Sequence, residues 1–194
     1  MAGHFEATPG GGASVVLDEV EIAILRSLAV QLLELIGPGD EPAEGADPLA
    51  ALFAEGPSEA PADPALARLF PDAYGTEDTE LRAASAEFRR FTENDLRARK
   101  RTDALAVVRT LDALKADEDG EAVLELDADA SRSWLGTLND LRLTIGTRLE
   151  VSEEDDGDAG SLYRLPDSDP RKPMVMAFLW LGALQETLVG TLMS

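Results

Sequence analysis

The stretch LDEVEIAILRSLAVQLLELIGPG, residues 17–39, decides the fold. Asp18 is a favoured N-cap, and Glu21 stands three residues on, where a capping box needs it. Leu17 and Ile22 flank the cap as a hydrophobic staple. Apolar residues recur at 20, 24, 25, 28, 32, 35 and 36, a wide stripe at helical spacing. Gly37-Pro38 stops the helix. A helix with so much apolar surface must be covered by other elements.

The rest of the chain supplies them. Upstream, GHFEA (3–7) and ASVVL (13–17) flank the turn sequence TPGGG and predict a β-hairpin. AVLEL (122–126) predicts a third strand able to join it. Asp63-Pro64 pairs a favoured N-cap with a favoured first helical residue, and Leu66, Leu69 and Phe70 share the face that follows. Asp47-Pro48 repeats the device. From about residue 77 to 115 the pattern is helical, with a break signal at Thr92. There Phe91 and Leu96 are placed as a staple, predicting two helices or one kinked helix. Asp127 or Asp129 opens another helix, with Trp134, Leu138, Leu141 and Ile145 at helical spacing. A last helix begins near Pro173. Its uncharged run from Met174 to Leu184 is about half the roughly twenty residues a membrane span needs, so it reads as a buried central helix. The expected fold is mainly α: one domain over residues 1–194, with about five helices and a small two- or three-stranded antiparallel sheet. Residues 37–62 form a flexible, acidic, Pro/Gly-rich insert, and six of the eleven prolines fall between 38 and 64.

Charge and composition narrow the function. The net charge is −21, and 20 of the 38 acids sit in three base-free segments, 37–63, 116–129 and 150–158. The remaining 18 acids face 17 bases, so the body of the protein is nearly neutral. An acidic field argues against non-specific nucleic-acid binding, which depends on neutralising phosphates. There is no Cys and a single His, His4, which disfavours thiolate chemistry, zinc sites and His-dependent triads. No secretory signal precedes the hairpin, and a cytoplasmic location is expected. DEDGE (117–121) and EEDDGD (153–158) miss the twelve-residue spacing of a calcium loop. No phosphate loop, dinucleotide fingerprint or Ser elbow is present, so no metal and no cofactor are expected.

Three groups of residues carry candidate function. Residues 89–109 hold seven bases against three acids, with Arg90, Arg97, Arg99 and Arg101 the candidate partner- or anion-binding groups. The alternative is a solvated face carrying the i,i+4 pairs Glu93–Arg97 and Asp95–Arg99. LNDLRLTIGTRL (138–149) sets Asp140, Thr144 and Arg148 in a polar stripe opposite Trp134 and Leu138, with Arg142 nearby. Its ordinary reading is an exposed face, and Gly146 signals a close approach by another element or a helix end. Tyr74 stands near Asp72; such a tyrosine more often buries its ring. A hydrolase would draw on Asp72, Glu87 or Asp140, and needs two of them in one cleft.

DPALARLFPDAY (63–74), AEFRRFTENDLR (86–97), LNDLRLTIGTRL (138–149) and FLWLGALQETLV (178–189), in this order, resemble the hallmarks of an actinobacterial family, the domain of unknown function DUF2017. The resemblance runs over nearly the whole chain, with residues 37–62 as the variable part. It implies a cytosolic helical protein without an assigned activity, whose gene tends to lie beside that of ClpS, the adaptor of the Clp protease. It points to the regions Phe70–Tyr74, Glu87–Arg97 and Asn139–Arg148. The expected function is a non-enzymatic, adaptor-like interaction or regulatory protein with a protein partner, linked to Clp proteolysis. Binding of a phosphate- or carboxylate-bearing small molecule is the alternative, and a hydrolase the next. Neither nucleic acid nor membrane is an expected partner, and a homodimer is left open.

Overall fold

The computed structural model describes residues 3–38, 56–75, 78–151 and 165–193. The Asp47-Pro48 repeat and the acidic run 153–158 lie outside these residues. Within them the chain is mainly helical. In chain order the elements are β1 (Glu6–Ala7), β2 (Ala13–Asp18), α1 (Glu19–Ile36), α2 (Pro64–Leu69), α3 (Thr79–Ala113), β3 (Glu121–Leu126), α4 (Ala128–Arg148) and α5 (Lys172–Leu192).

Local chemistry sets most of the boundaries. Asp18 accepts from the Glu21 N–H at 2.7 Å, and the Glu21 carboxylate accepts from the Asp18 N–H at 3.1 Å, so the capping box closes. Gly37 ends α1 at φ +88°, a conformation that a side chain would strain. Asp63 caps α2 through the Ala65 and Leu66 N–H groups, with Pro64 in its first turn. Asp127 caps α4 through Ala130. In DEDGE the Asp117 carboxylate accepts from the Asp119 and Glu121 N–H groups, so this acid builds the turn into β3.

The sheet is antiparallel in the order β1-β2-β3. Its register pairs Ala13 with Leu126, Val15 with Leu124 and Leu17 with Ala122. All six of these residues are buried, so one sheet face is continuous with the core. Val16 opposite Val123 lies on the exposed face. Helix α1 packs on α3, α3 on α4, and α4 on α5, while α2 lies against α4. The core centres on Trp134, Phe5, Leu17, Leu25, Leu32, Leu138 and Leu184. Trp134 meets Phe5 edge-on at 6.2 Å and donates its indole N–H to the Thr110 hydroxyl at 3.1 Å.

Two expectations are corrected. The segment with a break signal at Thr92 is one uninterrupted helix of 35 residues. Thr92 turns its hydroxyl back on the Phe88 carbonyl at 2.8 Å, and an ion-pair ladder from Arg89 through Glu93 to Arg97 crosses the expected break. Phe91 and Leu96, the expected staple, are both exposed. The last helix, in turn, is not buried all round. Only Val175, Leu181, Leu184 and Leu188 are fully inside, because α5 covers the flank of α4 and the sheet instead of running between layers. It is long and apolar enough, by length and composition, to cross a membrane. Gly146 behaves as expected: a Cβ built there would stand 3.2 Å from the Phe178 ring of α5.

Candidate functional site

Helix α3 organises the polar chemistry of the molecule. Its second half buries Ala104, Val107, Val108 and Leu111, but its first half buries Ser85, Arg89 and Glu93. Residues 85, 89, 93, 97 and 101 read Ser, Arg, Glu, Arg, Arg at strict four-residue spacing, one column along the helix. Glu93 is the hinge of this column. One of its oxygens accepts from Arg89, and the other accepts from the Arg97 Nε at 2.8 Å, with Nη2 of the same ion pair 2.7 Å away. Arg89 also holds the Phe70 carbonyl, which closes α2, at 3.0 and 3.1 Å, and the Asp72 carboxylate at 2.8 Å.

The remaining arginines of the column cap α1. That helix has no basic residue in its last turn. Arg97 donates to the Ile36 carbonyl at 2.8 Å, and Arg101 donates to the Gly37 carbonyl. Both guanidinium groups thus meet the partial negative charge of a helix C-terminus. Arg97 also lies over the Phe70 ring at 4.2 Å. The Glu93–Arg97 pair forms as the spacing predicts, whereas among the described residues Asp95 and Arg99 make no ion pair, and Arg99 is exposed. Arg97 and Arg101 therefore bind their own chain. Ser85 adds a tether, accepting from the Tyr74 N–H at 3.0 Å and donating to the Tyr74 carbonyl at 3.1 Å.

The stripe expected to be exposed on α4 faces α3 instead. Asp140 and Thr144 are buried, and only Arg148 is exposed. Lys100 reaches across from α3 to Asp140 at 2.6 Å, and the Thr144 hydroxyl donates to the Asp140 carbonyl at 2.8 Å. Burial pushes the Asp140 carboxyl above its ordinary value of 3.8, against the opposing pull of Lys100. A raised folded-state pKa means that the folded state binds more protons than the unfolded one between the two values. Asp140 therefore contributes most stability below pH 3.8, and its contribution declines as pH rises through the raised pKa. Asp140→Asn lacks this decline. In paired denaturant titrations across pH, the stability of wild type minus variant should fall as pH rises from about 4, then level off. A flat or rising difference would contradict the assignment.

The outer face of α3 is different in kind. Leu81, Phe88 and Phe91 are 41%, 48% and 64% exposed. Tyr74, from the segment tethered by Ser85, is 47% exposed and meets Phe88 edge-on at 6.3 Å. The Tyr74 ring is thus not buried. Arg90 lies over the Phe91 ring at 5.5 Å, and Glu87 is exposed beside them. Of the sequence-predicted residues, Tyr74 meets Phe88, Arg90 lies over Phe91, and Glu87 is exposed one position before Phe88. Phe88 and Phe91 are not among the candidate residues of the sequence, in which Phe91 reads as half of a local staple.

The three carboxylates a hydrolase would use are dispersed. Asp72 is bound to Arg89 and Asp140 to Lys100, eleven positions further along α3, roughly 16 Å at the helical rise. Glu87 is exposed on the outer face. Among the described residues no group of three or more His, Asp or Glu is arranged to hold a metal ion. A cleft of about 260 Å³ opens between α1 and α4, walled by Leu28, Leu32, Leu141 and Ile145 with Arg148 at its edge. Arg142 lies in a second groove, donating to the Gln185 side chain at 2.6 Å and lying over the Phe178 ring at 5.2 Å. There it joins α4 to α5.

A family model described as "Domain of unknown function (DUF2017)" matches residues 2–192. The chain belongs to that family. A protein of Mycobacterium tuberculosis (strain ATCC 25618 / H37Rv) named "Oxidative stress regulator AosR" is 29% identical over 184 residues, covering 89% of this chain and 78% of that protein. A Mycobacterium bovis (strain ATCC BAA-935 / AF2122/97) protein of the same name matches equally. A Mycobacterium leprae (strain TN) protein, given this name in provisional form, is 30% identical over 185 residues, covering 90% of this chain and 79% of that protein. No solved structure matches the chain.

Proposed function

We propose that this protein is a cytoplasmic, non-enzymatic regulator of the response to oxidative stress. It acts by binding another protein through the outer face of α3, with neither nucleic acid nor membrane as partner. The observation that carries this reading is the exposed cluster of Tyr74, Leu81, Phe88 and Phe91 on an otherwise charged helix. Aromatic groups beside an arginine are the residue types that dominate binding energy at protein interfaces. Most of the basic groups of α3, by contrast, are engaged within the chain. The names of the mycobacterial relatives support a regulatory role.

The test is affinity capture from cells with wild-type bait and with the double variant Phe88→Ser/Phe91→Ser. Hot-spot truncations cost about 2 kcal/mol or more, so partner recovery should fall at least about tenfold. The melting temperature should stay near wild type, since both side chains are exposed. Arg99→Glu should retain the partner. Full recovery by the double variant would refute the surface. The adaptor-like form of this reading, tied to Clp proteolysis, rests on the gene neighbourhood of the family. It predicts that adding the protein changes substrate half-life in a reconstituted Clp assay.

The cleft beside Arg148 supports a second reading, a small carboxylate-bearing ligand held by aliphatic walls and one guanidinium, in a lining that also holds Gln31, Thr144 and the Glu34 carboxylate. A thermal shift with such a ligand that disappears in Arg148→Ala would favour it.

A further inference from the structure

This chain contains four methionines and no cysteine. Oxidation of a thiol is closed to it, and the sulfur chemistry it retains is that of the thioether. Three methionines belong to α5 and its cap: Met174, Met176 and Met193, which are 39%, 51% and 83% exposed. Met193 lies past the last helical residue, and Met174 in the first turn. Met176 stands i,i+4 from Trp180, the spacing at which side chains on a helix meet. The Trp180 indole Nε1 is buried and has no hydrogen-bond partner among the described residues. A buried indole N–H ordinarily finds an acceptor, and a thioether is a weak one.

We propose that Met176 is an oxidant-responsive site, and that its sulfoxide oxygen accepts the Trp180 indole N–H. The inference rests on the oxidative-stress reading above. The oxidant is a peroxide. With hydrogen peroxide, the Met176 sulfur attacks one oxygen, the O–O bond breaks, and the second oxygen takes up the proton of the first and leaves as water. Sulfur is oxidised by two electrons and the peroxide is reduced by two. The product carries a strong acceptor where the reduced side chain has only a weak one, one turn from a donor that no described residue meets. Oxidation thereby makes an apolar position of α5 polar and joins it to the half-buried Trp180.

Nitrogen-15 NMR of the intact protein, titrated with hydrogen peroxide and followed by peptide mass spectrometry, tests this. The chain has two tryptophans, and Trp134 already donates to Thr110 at 3.1 Å, which makes its resonance an internal control. The Trp180 indole resonance should move by more than its linewidth as one oxygen is added at Met176, and the Trp134 resonance should stay. Methionine sulfoxide reductases should restore the starting position. Met176→Leu conserves volume and should abolish the shift while Met174 and Met193 still oxidise. A Trp180 resonance that stays put with Met176 fully oxidised, or one that still moves in Met176→Leu, overturns the proposal. Oxidant survival of cells lacking the gene separates the two ideas. Unaltered survival would remove the regulatory reading and leave the resonance result intact, and an unmoved resonance would do the reverse.

Discussion

Glu93→Ala should destabilise the protein by about 3–5 kcal/mol, the cost of leaving buried charge without its partner. The Glu93 side chain is 2% exposed and stands between two arginines that are themselves largely enclosed. Removing it leaves Arg89 with Asp72 and the Phe70 carbonyl, and Arg97 with the Ile36 carbonyl and the Phe70 ring. Neither set replaces a carboxylate that accepts from both guanidinium groups. Glu93→Gln keeps the shape and one acceptor oxygen, so it should lose less. Denaturant unfolding measures both. Equal stability of Glu93→Ala and wild type would mean that the column is an accidental alignment. The column does not have to be a net source of stability over an apolar core of the same shape. What it does is specific: it joins the C-termini of α1 and α2 to a single helix, and so sets where the Tyr74 segment lies.

Trp134→Ala should cost a similar amount, about 3–5 kcal/mol, by a different route. The ring is 1% exposed at the centre of the core, and its loss leaves a cavity that the sheet and α3 cannot both collapse into. It also leaves the Thr110 hydroxyl without its indole donor and removes the edge contact with Phe5. Trp134→Phe refills most of the volume but not the hydrogen bond, so it should fall between. Thermal unfolding with matched heat-capacity analysis orders the three proteins. A variant with alanine at 134 and an unchanged midpoint would place the core elsewhere.

The elements were legible in the sequence wherever the cause was local. Asp18, Asp63 and Asp127 each announce a helix start through a hydrogen bond spanning three residues or fewer. The sheet register follows from the alternation of Ala13, Val15 and Leu17 against Ala122, Leu124 and Leu126. Legibility fails where the cause lies far along the chain. Lys100 and Asp140 are 40 residues apart, and nothing in LNDLRLTIGTRL tells that the aspartate is buried against another helix. Thr92 carries a start signal that the Arg89–Glu93–Arg97 ladder overrides. The four-residue column from Ser85 to Arg101 was present in the sequence, but buried arginine is uncommon enough that helical periodicity in apolar residues alone does not find it. The aromatic face of α3 escaped for the converse reason. Phe91 reads as half of a local staple until the helix is seen to run on through Thr92 and the neighbouring helices to pack elsewhere.

The most direct measurement is site-specific photo-crosslinking in cells, with benzoylphenylalanine placed at Phe88 and, separately, at Arg99 and at Val16. All three positions are exposed, the last on the outer face of the sheet. One discrete adduct from position 88, absent from 99 and 16, is the predicted result. Adducts from 99 or 16 with none from 88 would contradict binding through the outer face of α3.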